Sequence, residues 1–110
     1  MLRIGIFQIA GLSAEPLARR MGEAAARRGI DAKVAVYRMG ELNEHIDEVD
    51  VALVCPQMSY RKRQIREVAE GHGVPFAIIP MGDYSMLNGR AVLAMAVRLV
   101  GGSEDSRSRD

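Results

Sequence analysis

The sequence predicts an α/β fold: a single three-layer domain in which helices flank a four-stranded parallel sheet. Three observations carry this expectation. Short apolar, β-branched runs alternate with segments of helical period, an order that implies parallel strands joined by helical crossovers. Glycine and proline punctuate the boundaries between them. The chain has 110 residues, enough for one domain with a real core and little room for a second.

Each element has a local reason. Leu2 to Phe7, with Ile4 and Ile6, reads as a buried strand. Gln8 to Ser13 forms a loop around Gly11, and Ser13 is placed to cap a helix from about Ala14 to Arg28. Pro16 suits its first turn and Glu15 favours its dipole, while Leu17, Met21, Ala24 and Ala25 share one face. Gly29 is the stop signal. Ala32 to Tyr37 reads as the second strand, and Gly40 to Ile46 as a short helix or turn. Val49 to Cys55 is the third strand, ended by Pro56. A helix from about Tyr60 to Gly71 follows, with Ile65, Val68 and Ala69 inward. Pro75 to Pro80 is the fourth strand, Met81 to Gly89 a loop, and Ala91 to Val100 the last helix. The strand order expected is 2-1-3-4. Residues 1–100 form the domain, and 101–110, made of Gly, Ser and charged residues, read as a disordered tail.

Composition narrows the function. Fifteen Lys and Arg against fourteen Asp and Glu leave a net charge of +1, which gives no field to gather nucleic acid or an anionic membrane. No apolar stretch approaches the roughly 20 residues that span a bilayer. One cysteine, Cys55, excludes an internal disulfide framework and any multi-cysteine metal site, and points with the missing leader to a cytoplasmic setting. His45 and His72 lie apart, with no cysteine or carboxylate at ligand spacing, so neither a metal nor a cofactor is expected.

Ligands of open parallel sheets bind beyond the carboxyl ends of the strands, so the loops after Gln8, Pro56 and Met81 are the candidates. The first, Gln-Ile-Ala-Gly-Leu-Ser, leads from strand into helix. Backbone N–H groups at such a helix start can hold a phosphate, with Gly11 allowing close approach and Ser13 adding a hydroxyl. The plain alternative is a helix cap beside a turn glycine. Neither G-x-G-x-x-G nor G-x-x-x-x-G-K-[ST] is present. A thiol phosphatase cradle would need a cysteine and a later arginine where Gln8 and Ala14 stand.

Three blocks together resemble a known family. They are the strand from Ile4 running into Ala10-Gly11-Leu12-Ser13, the stretch DVALVCPQMSY from Asp50 to Tyr60, and IPMGDYSMLNGRAVL from Ile79 to Leu93. In this order they resemble the enzyme IIB components of the lactose/cellobiose class of the bacterial sugar phosphotransferase system. The resemblance covers residues 1 to about 100. It implies a phosphoryl relay: a group taken from a histidine of enzyme IIA, carried on a loop cysteine, and passed to the sugar held by the membrane enzyme IIC. It implies that Ile9, Ala10, Gly11, Leu12 and Ser13 form the phosphate-binding loop. It places the family cysteine at Gln8, which is neither nucleophile nor base. Ile9 replaces a small polar residue, and Glu15 adds a negative charge beyond the loop.

Other residues have two readings each. Cys55, at the end of the third strand, is either a relocated phosphoryl acceptor or a small buried hydrophobe. Arg61, Lys62, Arg63 and Arg66 oppose the dipole of the helix they start, so they either dock a phosphorylated partner or form a solvated face. Tyr84 matches a family tyrosine and joins Arg61 and Arg63 as a docking candidate; otherwise it packs on the last helix. Gln57 and Tyr60 match the family loop after the third strand. Three functions stay open: a working relay, an inactive module that docks a phosphorylated partner, and an anion sensor.

Overall fold

The computed structural model describes residues 1–9 and 13–109. Strands β1 (Leu2–Gln8), β2 (Ala32–Arg38), β3 (Val51–Val54) and β4 (Phe76–Ile78) form one parallel sheet in the order β2-β1-β3-β4. Helix α1 (Glu15–Arg27) joins β1 to β2. The short α2 (Leu42–His45), between 3-10 turns at Met39–Glu41 and Ile46–Glu48, leads to β3. A 3-10 turn at Pro56–Arg61 and α3 (Lys62–Gly71) lead to β4. Then come α4 (Met81–Ser85) and α5 (Gly89–Arg109).

The period-2 alternation of the strands sorts side chains to two faces. Ile4, Ile6, Val51 and Leu53 point to one, where Leu17 and Met21 of α1 and Val92, Leu93 and Ala96 of α5 cover them. Phe7, Ala52 and Val54 point to the other, beneath Leu42 of α2, Ile46 of the turn after it, and Ile65 and Ala69 of α3. Ile4, Ile6, Leu17, Met21, Leu53 and Leu93 are at most 1% exposed, and each contributes about 1.5–3 kcal/mol by burial. Three layers and the strand order are as the sequence predicts.

The boundaries differ in instructive places. β3 begins only at Val51, because the Asp50 carboxylate takes the Arg3 backbone N–H at 2.7 Å and its guanidinium at 3.1 Å. β4 is confined between Pro75 and Pro80, which bring no N–H to a ladder. Ser13 does not occupy the formal cap of α1: Ala14 does, and the Ser13 Oγ instead accepts the Glu15 N–H at 3.2 Å. Gly29 ends α1 at φ +69°, the left-handed conformation that glycine adopts freely. The expected loop from Met81 to Gly89 contains α4, held by the Tyr84 N–H on the Pro80 carbonyl (3.0 Å) and the Ser85 hydroxyl on the Met81 carbonyl (2.9 Å). α5 starts two residues before Ala91 and continues past Val100 across 101–109, the stretch read as a tail.

Close packing fixes the α1–α5 pair. A Cβ built on Gly89 would lie 2.6 Å from the Arg20 carbonyl carbon, so only glycine lets α5 start this near α1.

Candidate functional site

The crossover helices set the site. α1 lies on one face of the sheet and α3 on the other, so the chain switches sides between the adjacent strands β1 and β3. A crevice opens beyond the strand ends at such a switch point. Gln8 closes β1 there and Cys55 follows β3, tied to it by the Cys55 N–H on the Phe7 carbonyl at 3.1 Å.

Gln8 is half-buried, and its side-chain Oε1 accepts the backbone N–H of Ala14 at the start of α1. Ser13 holds the next N–H, that of Glu15, and Pro16 has none. Two donors that an anion would use at this helix end are therefore met by the chain's own side chains. Ile9 packs on the α2–α3 side of the core. Ala10, Gly11 and Leu12, the centre of the expected phosphate loop, lie outside the described residues.

Cys55 is fully buried. Burial pushes its thiol pKa up, against a smaller opposing pull from the N–H groups of Ile9, Met58 and Gln57. A phosphoryl acceptor needs access and thiolate character; burial withholds the first and disfavours the second. Tyr84 is half-buried between the two cores, with its phenol oxygen fully buried and, among the described residues, without a hydrogen-bond partner. Burial foremost, and then the neighbouring Cys55, raise its pKa. The Gln57 Oε1 is buried and unpartnered in the same sense, while Tyr60 is 78% exposed.

A cavity of about 590 Å³ opens beside Gln8. Ile9, Met58 and Ile65 give it apolar walls, and among its charged lining residues Arg38 and Arg61 outnumber Glu41. Of the expected docking residues, Arg61 is thus brought together with Gln8, whereas Arg63 and Tyr84 do not line this cavity. Arg66 sits 5.9 Å over the Phe76 ring, a cation–π contact that gives it a structural role. Arg38 was missed by the sequence reading. It pairs with Gln8 as the last register position of β1 and β2, and only a known strand register could have found it.

Contrary to the expectation from sequence, carboxylates do stand at ligand spacing to His45. Glu41, Glu44 and His45 bring three potential ligand atoms within 4.8 Å of one another. The same imidazole contacts Glu48 at 3.1 Å and stacks on Tyr37 at 4.2 Å, which accounts for its place in the fold. His72 is held by Asp47 at 2.7 Å.

What this arrangement can do is bind: an apolar recess beside two guanidinium groups suits an anionic group on a partner surface. Among the described residues no helix is long and apolar enough to cross a membrane.

Comparison with known proteins agrees with the three blocks. The family described as the lactose/cellobiose-specific IIB subunit of the PTS system matches residues 9–95. The chain is 33% identical over 96 residues to the galactose-specific EIIB component of Lactococcus lactis subsp. cremoris, covering 83% of this chain and 89% of the relative. It is equally similar to the cellobiose-specific EIIB component of Lactococcus lactis subsp. lactis, at 33% over 96 residues and the same coverage. Among solved structures, the lactose-specific IIB domain from Streptococcus pneumoniae superposes with a TM-score of 0.80 at 16% identity, covering 89% of this chain and 96% of that one, a likeness of fold. The cellobiose-specific IIB component from Borrelia burgdorferi gives 0.72 at 28% identity, covering 91% and 94%. With its sheet order, its helix-start site and 87 of its 110 residues matched, the chain belongs to the lactose/cellobiose-specific IIB subunits of the sugar phosphotransferase system.

Proposed function

We propose that this chain is a divergent IIB component that docks a phosphorylated enzyme IIA without carrying the phosphoryl group itself. One observation supports the reading above the others: the Gln8 carboxamide bonded to the Ala14 N–H. By the resemblance, the family cysteine falls on Gln8. In a relay the phosphorus–nitrogen bond of a phosphohistidine breaks as a phosphorus–sulfur bond forms to a thiolate. The Gln8 amide nitrogen is delocalised into its carbonyl and offers no such lone pair. Its oxygen takes up a helix-start donor that a phosphoryl oxygen would use. The scaffold thus meets that donor with its own side chain and has no group to pass on.

Docking falls to the rim around Gln8. Arg38 and Arg61 can steer an anionic partner to the recess, and Arg63, exposed on the first turn of α3, adds positive charge outside it. Enzyme IIA is the partner for this rim. The membrane enzyme IIC is its competitor on the cytoplasmic side, because both family partners meet a IIB protein at its carrier loop. A regulatory module of this kind would occupy IIA and withhold it from active carriers.

A second reading has its own support. Cys55 is one strand away from Gln8, so a relay through this thiol would need only local opening beneath Ile9. Phosphoryl transfer from phosphorylated IIA, read by intact mass, separates the two. The docking reading expects no mass gain by the native chain, labelling of Gln8→Cys, and binding of phosphorylated IIA by both. Labelling of the native chain that disappears in Cys55→Ala would overturn it in favour of the relay.

A further inference from the structure

On the sheet face covered by α1 and α5, away from Gln8, a groove of about 460 Å³ is lined by Arg19, Arg20, Glu23, Arg27, Met86 and Arg90. Arg28 extends the charge into an adjoining depression that shares Arg90. All five arginines are exposed, and none forms an ion pair among the described residues. The chain as a whole carries only +1, so five arginines around one groove are a local excess of positive charge. On the opposite face of the sheet, by contrast, charges of both signs mix: Glu41, Glu44, Asp47 and Glu48 on α2 and its flanking turns, and Lys62, Arg63 and Arg66 on α3.

Glu23, four residues from both Arg19 and Arg27, is the one carboxylate lining the groove, so the arginines there outnumber it. Met86 adds a second feature. It is 77% exposed, an apolar knob at the edge of a charged groove. The turn presenting it is tied down: the Asn88 Oδ1 accepts the Ala91 N–H at 3.2 Å, and the Met86 N–H donates to the Gly82 carbonyl at 3.0 Å. Leu87 holds φ +53° there, a left-handed conformation that costs a non-glycine residue about 1–2 kcal/mol. Arginine and methionine are the residue types enriched where proteins meet.

We propose that this groove binds an extended, acidic segment of a partner protein, with carboxylates at alternate positions and an apolar side chain against Met86. From Arg19 to Arg27 the helix advances about 12 Å at 1.5 Å per residue, too far for one phosphate. About four residues of extended chain cover that distance, and carboxylates on its same side recur about every 6.6 Å. A bilayer is flat and does not follow a groove. No aromatic side chain lines the groove to stack a base, as single-stranded nucleic acid requires. The proposal does not depend on whether the chain carries a phosphoryl group.

The test uses the full chain, labelled for amide NMR. The probe is a five-residue peptide alternating Glu and Leu. Its controls are the same peptide with Gln for Glu, inorganic phosphate, and phosphatidylglycerol vesicles. Saturable shifts are expected within residues 19–28 and 86–91, with affinity falling about tenfold in Arg20→Gln/Arg27→Gln and steeply with salt. Arg61→Gln should bind as the native chain does, and Met86→Ala several-fold more weakly. These are exposed positions, and unchanged melting curves would show that the variants fold. The proposal is overturned if the peptide does not bind, if the glutamine peptide binds equally well, if the shifts centre on residues 61–66, or if phosphate or vesicles displace the peptide and reproduce its shifts.

Discussion

The Gln8 side chain should be measurable as a structural cap. Ala14, whose N–H it accepts, is 1% exposed, so Gln8→Ala leaves a buried donor unpaired. Such a loss costs about 1–2 kcal/mol. Unfolding entropy of about 2.1 cal/mol/K per residue over 110 residues amounts to about 0.23 kcal/mol/K. The midpoint should therefore fall by about 4–9 °C, read by circular dichroism at pH 7. Gln8→Glu keeps the shape and adds a negative charge at the helix start, which contributes about 0.5–1 kcal/mol, or about 2–4 °C upward. A carboxylate stabilised in the folded state has its pKa depressed there. The gain is thus present above its unfolded pKa of about 4.3 and disappears as pH falls through the folded value. A Gln8→Ala midpoint within about 1 °C of the native chain would refute the cap. So would a Gln8→Glu midpoint below that of Gln8→Ala at neutral pH.

Three further outcomes are expected. Hydrogen bonding to Arg3 holds the Asp50 carboxyl below its ordinary range, so Asp50→Asn should melt lower than the native chain at pH 7, and the gap should close as pH falls through the folded Asp50 pKa. Gly89→Ala drives a Cβ to 2.6 Å from the Arg20 backbone and should destabilise by about 1–3 kcal/mol in urea titration, whereas Gly82→Ala, with open space around it, should not. The Cys55 thiol should react with a disulfide reagent only at the rate of protein opening, and a fast native reaction would contradict its burial.

The sheet was legible because its strands are short runs rich in apolar and β-branched residues, Pro56, Pro75 and Pro80 mark the ends of the third and fourth, and the crossovers between them leave few topologies. The faces of α1 and α3 followed from Leu17, Met21, Ile65 and Ala69 at helical spacing. α4 was not legible: Gly82, Asp83 and Ser85 are poor helix formers, and the turn is held by bonds to Pro80 and Met81. Arg38 was invisible for another reason, since parallel pairing sets it beside Gln8 across a whole crossover. The glutamine itself stood out in sequence only as the lack of a nucleophile. That its oxygen turns back to the Ala14 N–H is a matter of side-chain direction, which neither period nor propensity encodes.

Cys55 is the only thiol of the chain, and no part of it reaches solvent. Peroxide, glutathione and partner disulfides act on sulfur that is exposed and ionised. The folded protein offers them no such group. Whatever state this component reports, it is written in charge and shape, and changes in the thiol–disulfide balance of its surroundings pass it by until it unfolds.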